Sequence, residues 1–562
     1  MSRRLLTGGT VWAGPACTPR STWLLVDDDR VGAVGDEAGT PQPPRADEVL
    51  EFGGCHVLPG FVDVHLHLSQ AAWFPLGVDA LGWRGLADAL RAVRTEAAAA
   101  PDAPWLLFWS VARWRWPEGR LPTALELDEA APGRRVLVST LDMHRGALSS
   151  TGLAAIGLAK RRGATNFGHD VTCDRRGRPT GELWEAAYGI ALQRALADTI
   201  AHVGEAGVQA ALQAEATRCL AYGITHAHDP YVSPEWHQRM LALRASTPLR
   251  LSWGTGSVAG MHSRAPGPTA APDGSYGDSG REVKLFADGG DRCALRLPTR
   301  ALVGLLGGAA AESWRLRATG PLREALRRRL VVRPRHLDAP YLRYTDTELT
   351  SLVAEYAAAG VRLRIHALGN LAGAQAARVL RGVGVPPDAA TIDHLLLLDP
   401  ATADRVASTG VAVSYQPGFL PRYGTMLQAA RADRYVTVLG GRLLLQAGVP
   451  LALSSDHPCG PVDPLHNLRA AVERRLPTGQ QLQPEQTLTR TEAVRAATVT
   501  AATSLQAPGG GGLAPGQAAD LVICDGDPFQ EGTRVTQTWI GGKLAWQAPE
   551  AAGDRPSTST RP

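Results

Sequence analysis

Short runs of β-branched and other apolar residues alternate along this chain with longer Ala-, Leu- and Arg-rich stretches. The short runs predict strands at 60–65 (GFVDVH), 222–228 (YGITHAH), 249–254 (LRLSWG), 283–287 (VKLFA), 361–366 (VRLRIH), 391–395 (TIDHL), 411–415 (VAVSY) and 451–455 (LALSS). The stretches between them, 346–359 and 370–381 among others, have helical spacing. Strands alternating with helices imply a parallel sheet, and eight such units predict an α/β fold of the (β/α)8 TIM-like barrel type, its reactive groups at the C-terminal strand ends.

The two chain ends have a different texture. Residues 1–57 and 505–548 read as short strands and turns, which predicts a small β-sandwich formed from both ends around a barrel at 58–504. The polar tail 549–562 is expected to be disordered. The first two barrel strands are too far apart for one crossover helix, so an insertion is expected at about 70–215. It holds seven of the fourteen tryptophans: Trp73, Trp83, Trp105, Trp109, Trp114, Trp116 and Trp184. A lid insertion is expected at about 289–340, including the basic helix GPLREALRRRLVVRPRH.

Composition narrows the class. Hydrophobic content of 44% with 20% charged residues is ordinary for a soluble enzyme. A net charge of +4 with no basic block argues against a nucleic-acid partner. No run of 18 apolar residues exists, so no membrane span is expected. The seven cysteines are scattered with no Cys-x-x-Cys pair, which points to a reducing, cytoplasmic setting. The opening MSRRLLTGGTVWAGPAC has a twin arginine, but Thr7-Gly8-Gly9-Thr10 interrupts its apolar stretch, and a strand–turn–strand reading fits it better than an export signal. Only three of the 58 basic residues are lysines, namely Lys160, Lys284 and Lys543. A lysine retained where arginine is the rule suggests a need for an amine that can lose its proton.

The candidate chemistry lies at the strand ends. Period-two geometry puts His65 and His67 on one side of the first strand. The fourth strand carries Lys284, the fifth ends at His366, the sixth presents His394 and the eighth ends at Asp456. Each histidine alone would read as an ordinary hydrogen-bonded residue. Four imidazoles and a carboxylate converging on one barrel mouth suit Zn2+ or a similar divalent ion.

The ordered stretches LPGFVDVHLHL, PTALELDEAAPGRRVLVSTLDMHRGALSS, GITHAHD, VKLFADGG, IHALGN, IDHLLLLDP, VAVSYQP, SSDHPCGPVDPLHNLRAAVERR and LAPGQAADLVICDGDPF resemble the amidohydrolase superfamily. Within it, the chain is most similar over roughly 5–546 to the amidohydrolase family 3 branch, which includes N-substituted formamide deformylases. The resemblance implies that His65, His67 and Asp456 hold one metal and His366 and His394 a second. Lys284, carbamylated by CO2, would bridge them, with Asp456 as general base. Zn2+ is the expected ion, at one or two per chain. His144 in the family's Asp-x-His segment is expected to touch the substrate carbonyl or leaving group, and Gln416 to line the mouth. His226, His228 and His457 are expected in supporting positions. Asn370 departs from the family, which commonly has Asp there, so a charge near the fifth strand is missing.

The resulting expectation is a metal-dependent hydrolase of an amide- or formamide-type C–N bond. Its substrate would be a small molecule with an apolar or aromatic group, held by the Trp-rich insertion. A mononuclear deaminase of a nitrogen heterocycle would use the same histidines without needing Lys284. A non-catalytic scaffold descended from such an enzyme would show lost ligands, and none is visibly lost. The sequence leaves open whether the chain forms a homo-oligomer.

Overall fold

The structure, a computed structural model, describes residues 3–14, 16–35, 43–158, 170–256, 281–290, 292–327, 329–507 and 509–549. The tail beyond 549 lies outside these residues. All eight expected barrel strands are present: β1 (Phe61–Asp63), β2 (Ile224–Val232), β3 (Arg250–Thr255), β4 (Glu282–Phe286), β5 (Arg362–Ala367), β6 (Ala390–His394), β7 (Ala412–Tyr415) and β8 (Leu451–Leu453). They pair in parallel in sequence order, β1 through β8. The sheet almost closes into a barrel, and just past the strand ends its two edges are tied together. Asp456 N donates to His65 O at 2.7 Å, and His67 N donates to His457 O at 2.7 Å.

Alternation explains which side chains enter the barrel. On β5, Leu363 and Ile365 join the apolar core under the helices, while Arg364 and His366 turn inward among polar neighbours. The register sets Lys284 opposite Arg364 and Phe286 opposite His366. Barrel interiors are ordinarily filled by branched apolar residues. Here Glu282, Lys284, Arg364 and Asp393, all 1% exposed or less, occupy inward positions instead.

The chain ends share one sheet. Its order is 543–547, 535–540, 521–524, 56–59, 3–13, 18–27 and 30–34, with 48–51 also paired to 3–13. Strand His56–Pro59 runs straight into β1 through Gly60. A Cβ at Gly60 would lie 2.4 Å from the Thr225 side chain, so the junction requires glycine.

The expected insertion folds as a six-stranded mixed sheet running from Val78 to Trp184, followed by the long helix Glu185–Ala221. Most of its tryptophans build its own core. Trp105, Trp109 and Trp116 are at most 3% exposed, and Trp184 is sandwiched between Arg145 (3.7 Å) and Arg292 (4.0 Å). The basic stretch expected as one helix is not one. Helix Gly320–Arg327 ends, and Val331–Val332 then pairs antiparallel with His336–Ala339. Two adjacent valines followed by Arg-Pro-Arg favour a short hairpin over helix continuation.

Candidate active site

Residues separated by almost the whole barrel meet at one cavity of about 430 Å3, lined among others by His65, His67, His144, Lys284, His366, His394 and Asp456. The ring centroids of His65 and His67 are 5.2 Å apart, those of His65 and His394 4.9 Å, and those of His366 and His394 4.7 Å. Donor atoms of His65, His394 and Asp456 lie within 4.8 Å of one another. Asp456 Oδ1 is 3.1 Å from His67 Nε2 and 3.3 Å from His65 Nε2, yet it makes no aligned hydrogen bond. His366 Nε2 is also buried without a hydrogen-bond partner. Buried polar atoms are rarely left unpaired, so this set fits a divalent cation by donor chemistry as well as by position.

The electrostatics agree with that fit. Burial opposes charging His67, but Asp229 and Asp456 prevail and hold its pKa up at about 9. Carboxylates that favour a proton there favour any cation. Burial depresses His65 to about 3 and His394 to about 4, which leaves both imidazoles neutral and available as ligands. Burial alone would raise the Asp456 pKa, but the surrounding histidines keep it below the usual carboxylate range.

Two residues behind the histidines fix ring orientation, Asp393 from outside the expected set and Gln416 from within it. Asp393 Oδ1 lies 3.1 Å from His65 Nδ1, and Asp393 also pairs with Lys284 and, at 2.9 Å, with Arg364. Gln416 Oε1 lies 2.9 Å from His394 Nδ1, while the Gln416 amide donates to Ser414 Oγ (2.7 Å) and Ser454 Oγ (2.8 Å). Accepting the Nδ1 proton leaves each Nε2 lone pair for the cavity. Gln416, expected at the mouth, is fully buried behind His394 and does not line the cavity. Its position at the end of β7 is consistent with the sequence expectation, but its side chain turns toward Ser414 and Ser454, where two hydroxyls satisfy its amide.

Lys284 is 1% exposed. Burial, helped by Arg364, lowers its pKa against the pull of Asp393. Arg364 in turn bonds Glu282 at 2.9 Å, and Glu282 meets His228 Nε2 at 2.7 Å. His228 Nδ1 completes the chain 2.8 Å from Ser252 Oγ. His226 lies 3.7 Å from Asp520, and His457 points away from the cavity to Glu215, at 3.1 Å.

His144 lines the cavity with its ring 5.4 Å from that of His366. Its Nδ1 is 2.7 Å from Glu185, whose partner Arg343 is at 3.2 Å. Gly289 and Gly290 after β4 make room for this pair, since a Cβ at either position would overlap Glu185 (2.1 Å) or the His144 ring (2.7 Å). Asn370 does not face the cavity. It donates to Arg296 O (2.9 Å) and accepts from Arg296 N (2.7 Å). The carboxylate near β5 is Asp288, 3.6 Å from His366 Nε2 and bound by the amides of Leu368, Gly369 and Ala294. It stands in VKLFADGG, one strand earlier than the position where the charge was sought.

Only Trp73 and Trp114 of the insertion's seven tryptophans line the cavity. The remaining aromatic wall comes from Tyr188, Tyr231, Trp236, Phe286, Phe419 and Tyr423. Of the expected lid, only Gly290 reaches the cavity among the described residues.

Residues 48–545 match the amidohydrolase family. The chain belongs to it. It is 26% identical over 547 residues to an N-substituted formamide deformylase of Arthrobacter pascens, covering 93% of this chain and 94% of that one. It is 24% identical over 574 residues to the putative amidohydrolase YtcJ of Bacillus subtilis, covering 96% and 98%. A solved metal-dependent hydrolase from Pyrococcus horikoshii shares the fold with a TM-score of 0.63 at 20% identity, covering 94% of this chain and 98% of that one. As an amidohydrolase, the protein is a hydrolase of carbon–nitrogen bonds other than peptide bonds. No helix among the described residues is long and apolar enough to cross a membrane.

Proposed function

We propose that this amidohydrolase cleaves an amide- or formamide-type C–N bond in a small molecule bearing an apolar or aromatic substituent. The observation that carries the proposal is the convergence of His366 Nε2 and Asp456 Oδ1, both buried without a hydrogen bond, with His65, His67 and His394 in an aromatic-walled cavity. The formamide-cleaving relative supports the bond type. In this reading His65, His67, Asp456, His366 and His394 hold one or two divalent ions, with Zn2+ expected. Lys284, if carbamylated by CO2, would add a carbamate to this donor set.

A bound divalent cation supplies a water of lowered pKa and polarises the substrate carbonyl. The chain's own groups do the rest. Asp393 and Gln416 fix the Nδ1 protons of His65 and His394. Asp456 accepts the proton of the attacking water and delivers it to the leaving nitrogen. His144, oriented by Glu185, donates a hydrogen bond to the carbonyl side of the substrate. Phe286, Phe419 and Trp114 exclude solvent from the substituent. No disulfide joins any of the seven cysteines among the described residues, which supports a reducing, cytoplasmic setting.

The test is metal content per chain, measured on wild type and Lys284→Ala purified with bicarbonate, together with turnover of N-benzylformamide and N-methylformamide. Two metals falling to one or none in the variant, with N-benzylformamide preferred, are expected. One unchanged metal in both proteins discards the carbamate bridge, and equal turnover of the two amides discards the aromatic preference.

A further inference from the structure

The long helix Glu185–Ala221 carries two stripes offset by a single residue. Ala187, Ala191, Ala195 and Thr199 are buried, the three alanines packing in the core of the insertion. Leu192, Leu196 and Ile200, at i, i+4 and i+8, are only partly buried and line the cavity that holds the candidate metal residues. A helix shaped by packing alone would bury its large residues and expose its small ones. Here the large aliphatic edge packs only in part against the neighbouring cores and leaves the rest of its surface to the cavity.

The extent of that edge indicates what it accommodates. Tyr188 lines the cavity beside the site, and the wall continues to Ile200, about 18 Å further along the helix axis at the usual rise per residue. The helix then breaks at Gly204, whose φ is 77°. Trp73 and Trp236, in edge contact at 5.0 Å, form part of the facing wall. Away from the candidate metal residues and Asp142, the charged lining groups are already paired: Arg239 with Glu205 (2.7 Å) just past Gly204, and Glu235 with Gln193 (3.1 Å) midway along the edge.

We propose that this groove binds an extended, uncharged, linear apolar arm of the substrate, so that long-chain N-alkyl amides are better substrates than compact ones. The proposal rests on the amidohydrolase reading for where the arm begins and makes the groove along Leu192–Ile200 the determinant of specificity. The arm leaves the reacting amide near His144, follows the aliphatic edge and ends at the paired polar rim.

The experiment titrates N-butyl-, N-hexyl-, N-octyl- and N-decylformamide into the Asp456→Asn protein by calorimetry and measures kcat/KM for the same series with wild type. Affinity is expected to rise up to fourfold per methylene, roughly the gain from burying one CH2. Leu196→Asp should flatten that slope. Should Leu196→Asp not fold, Ile200→Gln is read on the octyl and decyl members instead. A dissociation constant independent of chain length overturns the groove, whatever the turnover. An unchanged slope in the variants overturns its placement on this helix. A chain-length slope with no member turned over by wild type keeps the groove and discards the C–N cleavage reading.

Discussion

Arg364 shows how the site is held together one residue at a time. It is fully buried and links Glu282 on one side to Asp393 on the other, both at 2.9 Å. Arginine is suited to this because its planar fork can serve two carboxylates and does not deprotonate. Removing it takes the shared cation from two buried carboxylates and leaves Asp393 with Lys284 and His65, and Glu282 with His228, so Arg364→Met should destabilise the protein by about 3 kcal/mol in urea unfolding. A loss below about 1 kcal/mol would mean the carboxylates find other partners. Gln416 gives a second test at the same scale. Gln416→Leu removes the acceptor of His394 Nδ1, and metal affinity should drop by roughly 10–100-fold. A change in KM alone, with metal affinity intact, would return Gln416 to a substrate-contacting role. The histidines could be found in the sequence because they stand at or just past strand ends, and the lysine because the chain has only three. Arg364, Asp393 and Asp288 could not be assigned there, because their meaning lies in partners 29–82 residues away. An inward charge in an apolar strand looks the same as an outward one until the register is known.

At the scale of elements, barrel strands were readable because parallel strands buried on both faces leave continuous apolar runs. The basic segment after Gly320 was misread for the converse reason. Charge repeats fit helix and hairpin alike, and Val331-Val332 ahead of Pro334 decided for the hairpin. Among the described residues, capping boxes at Thr123, Thr345 and Thr489 start three helices, and the last of these predicts a pH response. Thr489 caps helix Arg490–Ala497, and Glu492 returns the bond to the Thr489 amide while pairing with Arg442 at 2.6 Å. The hydrogen bonds from Arg442, with the Thr489 amide, outweigh burial and hold Glu492 at about 2 against an ordinary 4.5. A depressed carboxylate stabilises the fold above its unfolded pKa, and that contribution is lost as pH falls through the folded value. Because the pair is partly exposed, its worth is at most about 1 kcal/mol. The stability gap between wild type and Glu492→Gln should therefore be present at pH 6 and shrink steadily toward pH 2. A gap that does not change with pH would assign the effect to the cap geometry rather than the charge.

Across the whole molecule, a few contacts couple the sheet from the two chain ends to the barrel at the first barrel strand. Strand 521–524 pairs antiparallel with His56–Pro59, which leads through Gly60 into β1 and on to His65 and His67. Asp520 O accepts from Gly60 N at 2.9 Å, and the Asp520 carboxylate takes Arg250 of β3 at 2.9 Å and Gly541 N at 2.7 Å. Thr538 Oγ1 donates to Leu220 O, at the end of the long helix, at 2.6 Å. Ending the chain at residue 518 would unpair the strand that aims the His65–His67 pair and expose Val57 and Leu58, both at most 1% exposed in the intact protein. The truncated chain is therefore expected to lose both its cooperative thermal transition and its bound metal, although no candidate ligand has been removed. Full-length protein should unfold in one transition whose midpoint falls when a chelator strips the metal, because a ligand that binds only the folded state stabilises it by mass action. If the truncated chain melted cooperatively and kept its metal, the barrel would stand alone and the shared sheet would be an appendage to it.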